Sequence, residues 1–367
     1  MLIRHAFPAS AAILDADDLA GLACEEDVVT HLVQHESEQD PWQLREGPFD
    51  TATFASLPEE NWVLLVEDVD KWDTDVAGLF ELFRFLPSWR LDDVMVSYAT
   101  PGGGAGPQVN QYDVFLLQGM GRRHESINTH HKAPKGLRDH GEWPLLSQFS
   151  PSHSWTLESG DLLYLPPGLP HNDVAENASM TFSINMRVPS VAELLVDLAE
   201  YRAESFGEER RYTDPDLLPA RAIGLIDNKA LERLRTTLEP MAGDLNPGEL
   251  GNWFAGMITR YRSTAPAAPP TRCPSFEQIV AALTHGRPIL RHPFARFAWI
   301  RHSTGVAKLF ASGHGVLCPE SLAEALCTHS SLPADHPALS GKAARLCLHE
   351  LMGIGVLTLG RKPRQHR

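Results

Sequence analysis

Positive charge is scarce in this chain: 32 Lys and Arg stand against 47 Asp and Glu, a formal net charge of −15. Broad binding of a phosphate backbone needs Lys and Arg to neutralise phosphates and displace counterions, so a nucleic-acid partner is not expected. An acidic body draws basic partners instead. Cysteine is also sparse, with Cys24, Cys273, Cys318, Cys327 and Cys347 odd in number, scattered and never paired as Cys-X-X-Cys. That pattern argues against a disulfide framework or a four-cysteine zinc site and points to free thiols in a reducing cytoplasm. No run of about eighteen apolar residues occurs, and the stretch Met1 to Pro8 has no extended apolar core, so neither a membrane span nor a secretory leader is expected. No internal repeat is evident. What is present, 43% hydrophobic and 22% charged residues over 367 positions, suits two or three folded domains, each with its own core.

The hydrophobic pattern divides the chain. Trp62–Val66 reads as a buried strand and Val76–Phe85 as an amphipathic helix closed by Pro87-Ser88-Trp89. Short strands follow at Val94–Tyr98, Asp113–Gln118, Asp161–Leu165 and Met180–Val188, separated by Gly/Pro turns, a spacing that suggests a sandwich or barrel. Val191–Arg202 is helical, with Val191, Leu194, Leu195 and Leu198 on one face. Further helical patterns run over about 216–239 and 248–262. The proline-rich segment Ser263–Pro270 breaks all periodicity and marks a boundary. Beyond it lie helices near Phe276–Leu283, Glu320–Thr328 and Lys342–Met352. Strand candidates there are Phe294–Arg301, Val306–Ala311 and Gly355–Leu359, an order compatible with a winged-helix-like module. The basic end Arg361–Arg367 reads as disordered.

The chemistry concentrates in two strings. The strand-like run Asp161–Leu165 leads through Pro166-Pro167-Gly168-Leu169-Pro170 to His171, which delivers one imidazole to a strand end. Upstream, the glycine-rich stretch Gly102–Gly106 leads through Pro107 to Gln108-Val109-Asn110. In a strand, side chains two apart share a face, so positions 108 and 110 can present a pair of ligands with position 171 as a third arm. A facial site for non-haem Fe(II) uses two imidazoles and one carboxylate and leaves the opposite face free. Here the pair is Gln108 and Asn110, two neutral amides that donate weakly to a divalent ion. His124, His130, His131 and His140 cluster within Arg122–His140, where imidazoles could build a different metal site, although a solvated loop is the simpler reading.

Residues 89–190 resemble the JmjC-type ribosomal oxygenases, specifically bacterial hydroxylases of an arginine in a large-subunit ribosomal protein. The strings that carry the likeness are Trp89–Ser97, Gly102–Pro107, Gln111–Phe115, Gln118–Arg123, Glu158–Asp161 and Leu165–His171. The resemblance implies an α+β protein: a double-stranded β-helix of the cupin/JmjC type over 1–204, a helical dimerisation domain over 205–263 and a winged-helix-like domain over 271–360. It also implies Fe(II) and 2-oxoglutarate as cofactors, with the metal triad falling on Gln108, Asn110 and His171. Arg123 would anchor the 2-oxoglutarate carboxylate, because arginine binds carboxylate bidentately. Asp93, Met95, Tyr112 and Ser183 would enclose the target arginine, a carboxylate facing guanidinium while Met and Tyr cover its alkyl stem. Glu125 stands where the family commonly carries an aromatic residue.

Three functions follow from these readings. One is an active 2-oxoglutarate-dependent arginine hydroxylase acting on a basic ribosomal protein. The second is a pseudoenzyme that keeps recognition of a basic, arginine-containing segment while its iron chemistry is impaired or absent. The third is a cupin that uses another metal through the histidine-rich segment. The ligand set favours the second, as a cytoplasmic homodimer.

Overall fold

The computed structural model describes residues 1–7, 13–35, 42–130, 145–204, 206, 211–216, 226, 228–239, 245–261 and 267–361. These fall into two compact units, Met1–Val188 and Pro189–Arg367. His131, His140, the helical positions 217–225, linker residues 263–266 and the tail from 362 lie outside the described residues.

The first unit is built from two antiparallel sheets. The larger contains β1 (Leu2–Ile3), β2 (Thr30–Gln34), β3 (Gln43–Glu46), β4 (Trp62–Val66) and β5 (Asp93–Ala99), together with β7 (Asp113–Met120), β10 (Leu162–Leu165) and β12 (Ser179–Met186). Its order is β1-β10-β7-β12-β5-β4-β2-β3. The smaller joins β6 (Gln108–Val109), β8 (Arg122–Ile127), β9 (His153–Glu158) and β11 (Pro170–Ala175) in the order β6-β11-β8-β9. From β5 to β12 the chain passes back and forth between the two sheets, a jelly-roll arrangement in keeping with the short strands and Gly/Pro turns.

Side-chain alternation explains why these segments are strands. In β5, Val94 and Val96 are fully buried on one face in a core with Phe182, Ile184 and Met180 of β12, while Met95 and Ser97 project to the other. Each large apolar side chain taken fully out of water contributes on the order of 1.5–3 kcal/mol, so a one-residue slip in β5 or β12 would be strongly opposed. The expected helix over Val76–Phe85 is instead a single helical turn, Thr74–Ala77, continued as a 3-10 helix, Gly78–Phe83. Val76, Leu79 and Phe83 still reach the core at that tighter winding. Arg122–Ile127 is a strand rather than part of a histidine-rich loop.

The second unit opens with the helix Val191–Ala203, started by a capping box between Ser190 and Glu193. Two more helices begin the same way: Pro247–Arg260 on Asn246 and Glu249, and Phe276–Thr284 on Ser275 and Gln278. A shorter helix, Asn228–Leu238, occupies part of the stretch read as helical over 216–239. Trp253 donates through Nε1 to Asp197 at 2.8 Å, and Arg260 pairs with the same carboxylate at 2.6 Å, tying the first two of these helices together.

Further along lies a meander of β14 (Phe297–Ser303), β15 (Val306–Ala311) and β16 (His314–Pro319), which shares a core with the helices Phe276–Thr284, Glu320–Thr328 and Lys342–Gly353. A small sheet of β17 (Ser331–Leu332), β13 (Ile289–Arg291) and β18 (Leu357–Leu359) completes it. No helix among the described residues is long and apolar enough to cross a membrane.

Candidate functional site

A glycine-rich turn brings β6 against β11. A Cβ at Gly104 would collide with the carbonyl of Asp173, and one at Gly103 with the carbonyl of Trp62, so only glycine lets this segment lie so close to both strands. The turn is locked by Gly102 N–H donating to the Ala175 carbonyl and Ala175 N–H to the Gly103 carbonyl, both at 2.8 Å. β6 then pairs antiparallel with β11, placing Gln108 directly opposite His171. On the other side, Gly168, held at φ +76° after the double proline, donates its N–H to the Asn110 carbonyl at 2.8 Å. Gln108, Asn110 and His171 therefore line one cavity between the two sheets, of about 130 Å³.

His171 is buried, and its Nδ1 lies 3.1 Å from the Leu169 carbonyl. A carbonyl only accepts, so Nδ1 carries the proton and Nε2 keeps its lone pair. Burial lowers the imidazole pKa, which holds the ring neutral. The three positions thus offer one imidazole nitrogen and two amide oxygens. Among the described residues, no group of three or more His, Cys, Asp or Glu side chains is placed to hold a metal ion. His124 sits on β8 between the inward residues Arg123 and Glu125 and is exposed, as is His130.

Deeper in the cavity, the alternation of β8 and β11 turns Arg123, Glu125 and Asp173 inward beside His171. Arg123 is almost fully buried. Its Nη1 donates to Ser97 Oγ at 2.9 Å and to Asp173 Oδ2 at 3.2 Å, while Nε and Nη2 reach Ser179 Oγ at 3.4 and 3.3 Å. Asp173 also accepts from the Ala105 N–H at 3.3 Å. Glu125, opposite Asp173 in the register, is 1% exposed, and its Oε2 has no hydrogen-bond partner. Burial, and after it the neighbouring Asp173 carboxylate, raise the Glu125 pKa well above the usual carboxylate range, against the pull of Arg123.

At the opposite end, Met95, Tyr112 and Ser183 also line the cavity. Asp93 stands one layer back, 1% exposed, accepting from Asn185 Nδ2 at 3.0 Å and from the Asp68 N–H at 3.4 Å. Burial pushes its carboxyl up to about 7, with Arg187 drawing it the other way. Arg187 lies over the Tyr112 ring, its guanidinium carbon 5.2 Å from the centroid, and pairs with Glu67 at 3.5 Å and Asp92 at 3.9 Å. Sequence reasoning did not single out Arg187, Asp173, Ser97 or Ser179. The period-two partners of His171 and Met95 would have flagged Asp173 and Ser97.

The profile of the JmjC domain matches residues 78–194. The ribosomal protein uL16 3-hydroxylase of Escherichia coli K12 is 35% identical over 281 residues, covering 76% of this chain and 73% of that protein. A probable ribosomal oxygenase of Haemophilus influenzae is 34% identical over 204 residues, covering 53% of this chain and 48% of its own length. Among solved structures, the ribosomal oxygenase YcfD of Escherichia coli superimposes with a TM-score of 0.78 at 31% identity, over 98% of this chain and 94% of that one. The same enzyme has been solved with cobalt and 2-oxoglutarate and matches with a TM-score of 0.78 at 29% identity, with the same coverage.

Proposed function

Because this chain belongs to the JmjC-domain ribosomal oxygenases, we propose that it keeps the family's recognition of a basic, arginine-containing segment of a large-subunit ribosomal protein without the iron-dependent hydroxylation. The observation that carries this reading is the donor set. Two of the three positions that would hold Fe(II) bear amides, Gln108 and Asn110, beside the single imidazole of His171. An amide oxygen is neutral and weakly donating. Replacing a carboxylate and an imidazole with two amides removes the negative charge and one of the strong donors that hold a divalent ion against water. The residues present do not fit Fe(II), and no oxidative step is assigned to them.

The recognition half rests on the cavity wall. Met95, Tyr112 and Ser183 line it and Asp93 backs it, a mixture of apolar surface and carboxylate suited to an arginine side chain. Overall charge of −15 favours encounter with a basic partner. The same reading assigns the protein to the cytoplasm, takes residues 205–263 as a dimerisation module and 271–360 as a winged-helix-like scaffold. Supporting the dimer, Leu231, Leu234 and Leu238 are exposed along Asn228–Leu238.

Two measurements test the proposal. After anaerobic Fe(II) loading, the wild-type protein is expected to hold well under one equivalent of iron and to form no succinate from 2-oxoglutarate with a basic ribosomal peptide. Stoichiometric iron with coupled turnover would make it an active hydroxylase. The double replacement Gln108→His with Asn110→Asp restores the full donor set around His171 and is expected to bring stoichiometric metal binding.

A further inference from the structure

The family's second small-molecule requirement, a place for the 2-oxoglutarate carboxylate, is also altered. Arg123, the residue at the expected anchor position, already has an internal anion. Asp173 Oδ2 lies 3.2 Å from Nη1, with Ser97 and Ser179 taking its other donors. A dicarboxylate arriving here would have to displace Asp173 and would meet Glu125 as well. Beside that closed pair, Glu125 lines the same cavity as Gln108 and Asn110, and one of its carboxyl oxygens is buried with no hydrogen-bond partner. An unpartnered polar atom out of water is costly, and a ligand that satisfies it gains that cost back. Resting on the recognition function proposed above, we infer that the inner end of the barrel is a seat for a guanidinium, with Glu125 as its carboxylate and the Gln108 and Asn110 amide oxygens as further acceptors.

Guanidinium fits this arrangement because it is planar and carries five donors and no acceptor. Glu125 and the two amides supply acceptors, and the apolar residues Val114 and Leu116 on β7 line the cavity beside them. The size agrees. About 130 Å³ lies below the roughly 300–1,000 Å³ of typical small-molecule sites and is on the scale of one inserted side chain. The two cations that face the cavity are each matched internally, Arg123 by Asp173 and Arg187 by Glu67 and Asp92. An incoming guanidinium therefore meets one carboxyl group, Glu125, that no ion pair already matches, and its charge draws that group into the ionised form.

Calorimetric titration of the full chain tests the seat with three probes: a blocked Gly-Arg-Gly peptide, its citrulline counterpart, which has the same shape without charge, and 2-oxoglutarate. The arginine peptide is expected to bind, citrulline to lose on the order of 10–100-fold, and 2-oxoglutarate to give no heat at the same concentrations. Glu125→Gln should weaken the arginine peptide by a similar factor and leave the citrulline peptide nearly unchanged. Citrulline binding as tightly as arginine would overturn the inference, and needs no variant. So would 2-oxoglutarate binding that Arg123→Met abolishes. If a longer basic ribosomal peptide binds wild type and Glu125→Gln equally, the guanidinium seat is wrong while recognition of the basic segment stands. If no basic peptide binds at all, both fail.

Discussion

Glu125 makes the sharpest stability prediction. Its carboxyl is fully enclosed, faces the Asp173 carboxylate and is held well above the usual carboxylate range by burial first and by Asp173 second. In the unfolded chain it titrates near 4.5. The folded state thus keeps a proton that the unfolded state has released throughout the window between 4.5 and the raised folded value. Stability falls as pH rises across that window, by about 1.4 kcal/mol per pH unit for a single group. Glu125→Gln keeps the shape and does not titrate.

Between pH 5.5 and 7.5, the wild type is therefore expected to lose stability relative to the variant, by at most about 1.4 kcal/mol for each pH unit over which Glu125 keeps its proton. Asp93, pushed up to about 7, imposes a slope of the same sign, but it is common to both proteins and cancels in the difference. Equilibrium urea unfolding followed by tryptophan fluorescence reads the effect, since six of the eight tryptophans lie in the first unit. Parallel stability profiles for the two proteins would refute the reasoning. They would mean that Glu125 ionises in the folded barrel, with Arg123 rather than burial in control.

Other perturbations probe the same architecture. Asp173→Ala leaves the Arg123 guanidinium buried without its ion pair and is expected to cost about 3–5 kcal/mol at pH 5.5. Equilibrium urea unfolding at that pH checks it. Gly104→Ala drives a methyl group into the Asp173 carbonyl and should destabilise by about 2–3 kcal/mol in thermal denaturation, with β6 displaced. Phe182→Ala empties the centre of the larger sheet's core and is expected to cost about 3–5 kcal/mol by the same measurement. Ser275→Ala removes the cap of Phe276–Thr284 and should lower the stability of the second unit by about 1 kcal/mol, leaving peptide binding to the barrel unchanged.

Much of the barrel was legible because its signals are local. Trp62–Val66, Val94–Tyr98 and Asp113–Gln118 announce strands by alternation and by the glycines and prolines between them, and strands form there. Helix Val191–Ala203 carries its own start signal in the Ser190–Glu193 capping box, and both it and Glu320–Thr328 carry helical apolar spacing. Val76–Phe85 has the same apolar spacing yet winds mostly as a 3-10 helix, because tertiary packing of Leu79 and Phe83 decides the pitch and the side-chain pattern does not. The three positions that meet at the cavity were equally readable. A period-two pair after a glycine turn and a histidine after a double proline are local motifs, and the identities Gln108 and Asn110 are fixed by the chain itself.

Sequence alone determined the family, the strand pattern and the amide character of positions 108 and 110, since each depends on residues within a few places of one another. Only the tertiary structure decided that Arg123 is claimed by Asp173, that one carboxyl oxygen of Glu125 is left buried without a hydrogen-bond partner, and that Arg187 lies over Tyr112. Those outcomes depend on the register between β8 and β11, some fifty residues apart in the chain, and on the facing of one sheet against another. An acid in a strand reads the same whether it meets water or a guanidinium. Burial and cross-strand pairing are set by the whole fold, and they give that acid its charge state and its partner.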